Sequence, residues 1–159
     1  MSNETSIYVA ASSADIDRAE RWIRALRDAG HRVTSTWPEV IRAQPGAVSN
    51  PRDATDAARC TWSVDDMRQI FEADVLWFLA PPADMPTRGA WIEFGYAYAR
   101  GRSIVSSGDT KQSIFCALGV ELASDADAFA WICRASVAPA PGYCCVHAQW
   151  HGTDGEGCR

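Results

Sequence analysis

The stretch DMRQIFEADVLWFLA, residues 66–80, decides the fold. In its first half Met67, Ile70 and Phe71 recur at helical spacing, so residues 65–73 read as a helix. Its second half, Asp74 to Ala80, is a near-continuous apolar run of strand length. A strand that is apolar on both faces belongs in the middle of a parallel sheet covered by helices. A Pro-rich loop (Pro81, Pro82, Pro86) follows, and then a second helical stretch over residues 89–100.

Working toward the N-terminus, residues 7–11 (IYVAA) form a short β-prone run. Ala19, Trp22, Ile23, Leu26 and Ala29 then mark one face of a helix. Ser13 is its candidate N-cap, Asp15 and Asp17 suit its first turn, and Gly30 suits its end. Residues 31–37 (HRVTSTW) read as a second strand. Residues 38–59 show no period and read as a long loop, which favours a functional or mobile segment. Working toward the C-terminus, residues 103–106 read as a fourth strand, and a fifth is expected near Val120. Asp125 to Arg134 reads as a closing helix that carries Phe129, Trp131 and Ile132.

This alternation predicts an α/β doubly wound parallel sheet of four to five strands, with helices on both faces. Ligands bind such sheets beyond the carboxyl ends of the strands, at the switch point. The loops after Ala11, Trp37 and Ala80 are therefore where a site is expected. Residues 1–134 form the expected domain. Residues 135–159 contain Pro139, Pro141 and several glycines without periodicity, and read as an irregular or disordered tail.

The chain has 159 residues, the size of one ordinary domain. Apolar residues make up 47%, enough for a packed core. The net charge of −5 argues against duplex nucleic acid as a partner, because a polyanion is repelled. A small anion is still acceptable at a local group of backbone N–H donors. The N-terminus lacks a secretory pattern and no apolar run is long enough to span a bilayer, so a cytoplasmic protein with no membrane partner is expected. Cys60, Cys116 and Cys133 read as free thiols serving as small buried hydrophobes. Cys144, Cys145, His147, His151 and Cys158 are metal-ligand types but lack a paired Cys-x-x-Cys, so no metal is expected.

Three polar residues stand out. Tyr8 lies inside the first strand, Asp66 opens the helix before the third, and Glu93 interrupts the apolar stretch RGAWIEFGYAYARG, residues 88–101. Each has an ordinary alternative: a core tyrosine, a helix-start acid and a solvated or structural carboxylate. A carboxylate between Trp91, Ile92, Phe94 and Tyr96 is nevertheless unusual, because buried charge needs a partner or a purpose.

Taken together, the opening IYVAA, the Asp66-to-Asp74 stretch and GAWIEFGYA (89–97) resemble the nucleoside 2-deoxyribosyltransferase-like family over residues 6–134. That family includes deoxyribosyltransferases and nucleoside 5′-monophosphate N-glycosidases. The resemblance implies a flavodoxin-like (Rossmann-like) sheet and cleavage of an N-glycosidic bond, by hydrolysis or transfer. Glu93 would attack the anomeric carbon, Tyr8 would hold its carboxylate, and Asp66 would orient the base and assist proton transfer. Gly95 and Ala97 would let this helix pack closely on the sheet.

The pattern departs from the transferases at Thr87, six positions before Glu93, where they often carry an aspartate. A hydroxyl there is closer to the members that hydrolyse monophosphates, which tilts the expectation toward hydrolysis. Ser12, Ser13, Arg88 and Gly89 would join Thr87 in binding substrate, and Trp37 would stack on the base. Ser13 as a plain cap, Arg88 as a solvated charge and Trp37 as core packing remain the ordinary alternatives. Gln112, Ser113 and Phe115 fall where relatives reach a neighbouring subunit, which leaves a homodimer or higher homo-oligomer open. No organic cofactor is expected. The partner would be a small nucleoside or nucleotide. The competing readings are a nucleotide-ligand sensor without turnover and an interaction protein.

Overall fold

Alternate residues of the two central strands, β1 (Ser6–Ala10) and β3 (Val75–Ala80), enter different cores. The computed structural model describes residues 5–44, 54–85 and 87–135. Besides β1 and β3 it contains β2 (Arg32–Val33), β4 (Ser103–Gly108) and β5 (Val120–Leu122). Five helices surround them: α1 (Ile16–Asp28), α2 (Trp37–Arg42), α3 (Asp56–Glu72), α4 (Arg88–Ala99) and α5 (Asp125–Ala135). The strands pair in parallel in the order β2-β1-β3-β4-β5, so the expected doubly wound fold is present. The order reverses between β1 and β3, and that is the switch point.

Ile7, Val9, Val75, Trp77 and Leu79 pack under α1 and α5, against Ile23, Leu26 and Ile132. Tyr8, Ala10, Leu76, Phe78 and Ala80 face the other way, against Ile70 of α3 and Ala90, Phe94 and Ala97 of α4. All six residues of β3 are buried, as the apolar run requires. Each fully buried Leu, Ile or Phe contributes about 1.5–3 kcal/mol. Trp77 is fully buried, and its indole N–H donates to Ser107 Oγ at 2.9 Å. That bond removes the penalty of burying an unpaired donor.

The sequence reading needs correction between residues 31 and 59. The second strand is only two residues long, and Trp37 starts α2 instead of ending the strand. Side chains replace the missing strand: Ser35 Oγ accepts from Val9 N–H at 2.6 Å, and the Trp37 indole donates to the Val9 carbonyl at 2.9 Å. The expected long loop contains α2, with Pro38 in its first turn, and the start of α3, capped by Thr55 Oγ1 accepting from Ala58 N–H at 3.2 Å. The cap before α1 also shifts by one residue. Ser12, not Ser13, supplies the oxygen, through a 3₁₀ turn at Ser13–Asp15. Cys60 is exposed, so it is not the buried thiol expected; Cys116 is buried and Cys133 half-buried. The tail with its cysteines and histidines lies outside the described residues. Among the described residues no His/Cys/Asp/Glu cluster could hold a metal, and no helix is long and apolar enough to cross a membrane.

One ion pair ties the C-terminal ends of β3 and β4 to the helices on the α1/α5 face. Arg18 of α1 makes a two-pronged contact with Asp125 of α5, at 2.7 Å from Nε and 2.6 Å from Nη2. Asp125 also accepts from the Trp22 indole at 2.9 Å and from Ser107 Oγ at 2.7 Å. Arg18 Nη1 reaches the Ala80 carbonyl at 3.0 Å. Burial opposes the charge on Asp125, but Arg18 and Ser107 together hold the carboxyl below its ordinary range. Gly108, at φ 93°, makes room for this knot, since a Cβ there would lie 2.5 Å from the Ala80 carbonyl oxygen and 2.7 Å from Arg18 Nη2.

Asp125→Ala should cost about 3 kcal/mol, because it removes the two-pronged partner of a largely buried guanidinium and leaves Arg18 with Asp15, at 3.2 Å, as its carboxylate partner. The double variant Arg18→Met/Asp125→Leu should cost clearly less than the two single changes added together. Denaturant unfolding of the four proteins in a cycle measures this.

Candidate active site

Helical spacing turns the acidic residues inward. On α4, Glu93 shares a face with Ala90 and Ala97, three before and four after, and both are buried against the sheet. On α3, Asp66 precedes Gln69, Ile70 and Ala73, all buried, by three, four and seven residues. Asp66 therefore lies in the third turn of a 17-residue helix and does not open it. Tyr8 of β1 points to the same face and is fully buried. α3, α4 and β1 contact one another pairwise, and the three side chains meet between them.

The cluster is acidic, with no basic partner among the described residues. Burial pushes the Glu93 carboxyl up to about 8; the Asp66 charge adds to the rise and Tyr8 opposes it. Burial raises Asp66 to about 6, with Tyr8 opposing and Asp65 adding. The Tyr8 phenol is driven well above its ordinary value by burial and then by Glu93 and Asp66. Glu93 is half-buried as a residue, but its Oε2 is withdrawn from solvent. Tyr8 interacts with both carboxyls, yet neither its hydroxyl nor Glu93 Oε2 completes a well-formed hydrogen bond. Such bonds are often loose before substrate binds.

The loop between β3 and α4 borders this cluster. Thr87 is the N-cap residue of α4 but does not cap it, and its Oγ1 is buried without a hydrogen-bond partner among the described residues. The first residues of the loop are pinned: Arg18 holds the Ala80 carbonyl, and Gln112 Nε2 donates to the Pro81 carbonyl. Ser12 is buried and spends its hydroxyl on Ala14 N–H at 3.3 Å. Ser13 is half-buried, while Arg88 and Gly89 are exposed. Trp37 is half-buried, packs against both cores and is fixed by its bond to Val9. The close approach of α4 to the sheet comes from Ala90 and Ala97. Gly95 is exposed with open space where a Cβ would stand, which corrects the expectation for that glycine. Sequence reasoning missed Gln69, which accepts from Thr36 N–H at 2.9 Å and donates to Thr36 Oγ1 at 2.8 Å, fixing the turn before α2 to α3. Its position three residues after Asp66 was the available signal.

A separate groove of about 680 Å³ runs along the opposite side of α4, lined by Trp91, Phe94, Tyr98, Phe115 and Leu118 among others. It does not include Tyr8, Asp66 or Glu93.

The architecture recurs in solved structures. A 2-deoxyribosyltransferase from Bacillus psychrosaccharolyticus matches with a TM-score of 0.58 and 19% identity, over 79% of this chain and 90% of the other. The fold is that of a 2-deoxyribosyltransferase. A conserved protein from Enterococcus faecalis V583 shares this deoxyribosyltransferase fold, with a TM-score of 0.57 at 16% identity over 82% of this chain and 97% of its own. A CMP N-glycosidase from Clostridium botulinum aligns with a TM-score of 0.49 at 17% identity, over 80% of this chain and 98% of the other. No protein-family model and no curated protein matches the sequence.

The raised Glu93 value has a consequence for stability. Between its ordinary value of 4.5 and about 8, the folded chain holds a proton that the unfolded chain has released. Stability attributable to Glu93 therefore falls as pH rises through that window. Glu93→Gln should raise the melting temperature relative to the parent, by little near pH 5 and by several degrees near pH 8. Thermal melts at the two pH values test this, and an equal difference at both would show that Glu93 carries no retained proton.

Proposed function

We propose that the chain cleaves the N-glycosidic bond of a nucleoside or nucleoside 5′-monophosphate, with water favoured over a second base as acceptor. The observation that carries this is the convergence of Tyr8, Asp66 and Glu93 at one buried point beside the switch of the sheet. Two carboxyls with separated proton affinities are what glycosidic chemistry requires. An ionised Glu93 forms a bond to the anomeric carbon as the carbon–nitrogen bond breaks. At neutral pH the resting pair holds its single proton on Glu93; substrate binding moves that proton to Asp66, which delivers it to the departing base and then draws one from the water that releases the sugar. Tyr8 donates to Glu93 and fixes the attacking oxygen. The transferase fold supports the sugar chemistry, and the unpartnered Thr87 hydroxyl at the start of α4 supports an anionic group on the substrate. Ser12, Ser13, Arg88 and Gly89 belong to the same phosphate end of this reading, and Trp37 to the base.

The reading includes self-association. The groove on the opposite side of α4 is flanked by Ile114 and Phe115, which are 84% and 55% exposed. Apolar surface of this kind favours an interface with a second copy of the chain.

Incubation with ribo- and deoxyribonucleosides and their 5′-monophosphates, with and without a second free base, should release base in water alone. A new nucleoside formed only with the second base present would mean transfer instead. Ligand binding with no release anywhere would favour a sensor. Glu93→Ala should lower kcat by about 10³-fold or more without loss of fold. Tyr8→Phe should lower kcat by about 10- to 100-fold while KM changes little.

The pair titrates near 6 and near 8, and one proton must remain in it for neutral substrates. The pH profile of kcat/KM should therefore be bell-shaped, falling below the first value and above the second. Asp66→Asn should remove the alkaline limb, since no second carboxyl remains to take the proton from Glu93 and donate it to the base.

A further inference from the structure

Elsewhere among the described residues the largely buried carboxylate of Asp125 is neutralised. Asp125 faces Arg18 in a two-pronged pair, and three further donors or carbonyls complete that knot. Among the described residues the candidate site has no such partner. The charges that reach Asp66 and Glu93 are all acidic: Asp65 acts on Asp66, and Asp66 acts on Glu93. Among the described residues no lysine, arginine or histidine acts on either carboxyl. Arg68 lies on the same helix but is exposed and committed to Asp65 at 3.4 Å and Glu72 at 3.0 Å. Arg88 is exposed, and at five residues before Glu93 it lies on a different side of α4. The remaining facing group, Tyr8, is fully buried with a hydroxyl that completes no hydrogen bond. β1, α3 and α4 thus aim three oxygens at one point and bring no positive charge to it.

A buried acidic pair without a cation is costly unless it is protonated or the ligand supplies the charge. We propose that the preferred substrate is a nucleoside whose base carries a fixed positive charge on the ring nitrogen that bears the sugar, as in a pyridinium riboside. This rests on the glycosidase reading and names its substrate class.

The chemistry balances without a proton donor. Cleavage returns the bonding pair to the ring nitrogen, which turns the cationic base neutral. The anomeric carbon bonds to the Glu93 carboxylate, water then displaces it, and the products are the free sugar, the neutral base and one proton. The cation would also stabilise the ionised form of Glu93, so that binding releases the proton held there. Neutral nucleosides need Asp66 protonated; a pyridinium base does not.

Two measurements separate this inference from the reading beneath it. The first is binding, with probes that have no glycosidic bond: 1-methylnicotinamide, a pyridinium cation, against neutral nicotinamide. The cation should bind about tenfold tighter or more near pH 7, the ratio should widen toward pH 8 as the pair ionises, and Asp66→Asn should shrink it. Equal or weaker binding of the cation would overturn the inference and leave the glycosidase reading standing. The second is base release from nicotinamide riboside and from inosine across about pH 6–9, with Glu93→Gln as background. The alkaline limb should appear for inosine and vanish for nicotinamide riboside. An alkaline limb of equal depth for both would also overturn the inference. A cation preference in binding with no release from any nucleoside would overturn the glycosidase reading and the substrate class with it, leaving only a site that prefers a cationic ring.

Discussion

The register between β1 and β3 is the constraint on which the rest of the molecule depends. Ile7 stands opposite Val75 and Tyr8 opposite Leu76, so even-numbered residues of both strands face α3 and α4. Strand side chains alternate with a period of two, and a slip of one residue would send Tyr8 to the α1/α5 side. The slip is resisted because it would also expel Ile7 and Val9 from the α1/α5 core and break the bonds of Val9 to Ser35 and Trp37. The packing that stabilises the sheet is therefore the same packing that delivers the phenol to the carboxyls.

The two faces of the sheet treat charge in opposite ways. Under α1 and α5 a buried carboxylate is matched by a guanidinium, an indole N–H and a hydroxyl, and it stays ionised. Under α3 and α4 two carboxyls are held near a phenol with no cation among the described residues, and both bind protons more tightly than they would in water. The first arrangement fastens helices to strand ends. The second stores electrostatic strain, which is tolerated where binding or chemistry relieves it. Ala80 connects the two: it ends β3, its carbonyl is gripped by Arg18, and the loop it begins leads to Thr87 and α4.

Much of this was legible in the sequence. The apolar run before Ala80 announced a central strand, and Glu93 amid aromatic residues announced a buried acid. What stayed hidden was anything that depends on contacts distant in the chain. Ser35 and Trp37 look like strand residues because they are β-prone, but they serve β1 through side chains while the backbone turns into α2. The start of α3 was missed because its first turns lack an apolar stripe and expose residues such as Cys60 and Val64. Gly95 looked like a packing glycine, yet the small residues that touch the sheet are the two alanines on the face of Glu93. The charge balance of the site was invisible for a related reason. No local pattern reveals that, among the described residues, no basic side chain pairs with either carboxyl.

The shortness of β2 has a further consequence. A sheet edge normally presents a row of free N–H and C=O groups on which another chain can build. Beyond Val33 this edge presents side chains instead, with both backbone groups of Val9 already taken by Ser35 and Trp37. An incoming strand would have to break a buried serine bond and an indole bond before forming its first rung. That stretch of the margin, beyond the two-residue β2, is closed to templated growth until those two bonds break.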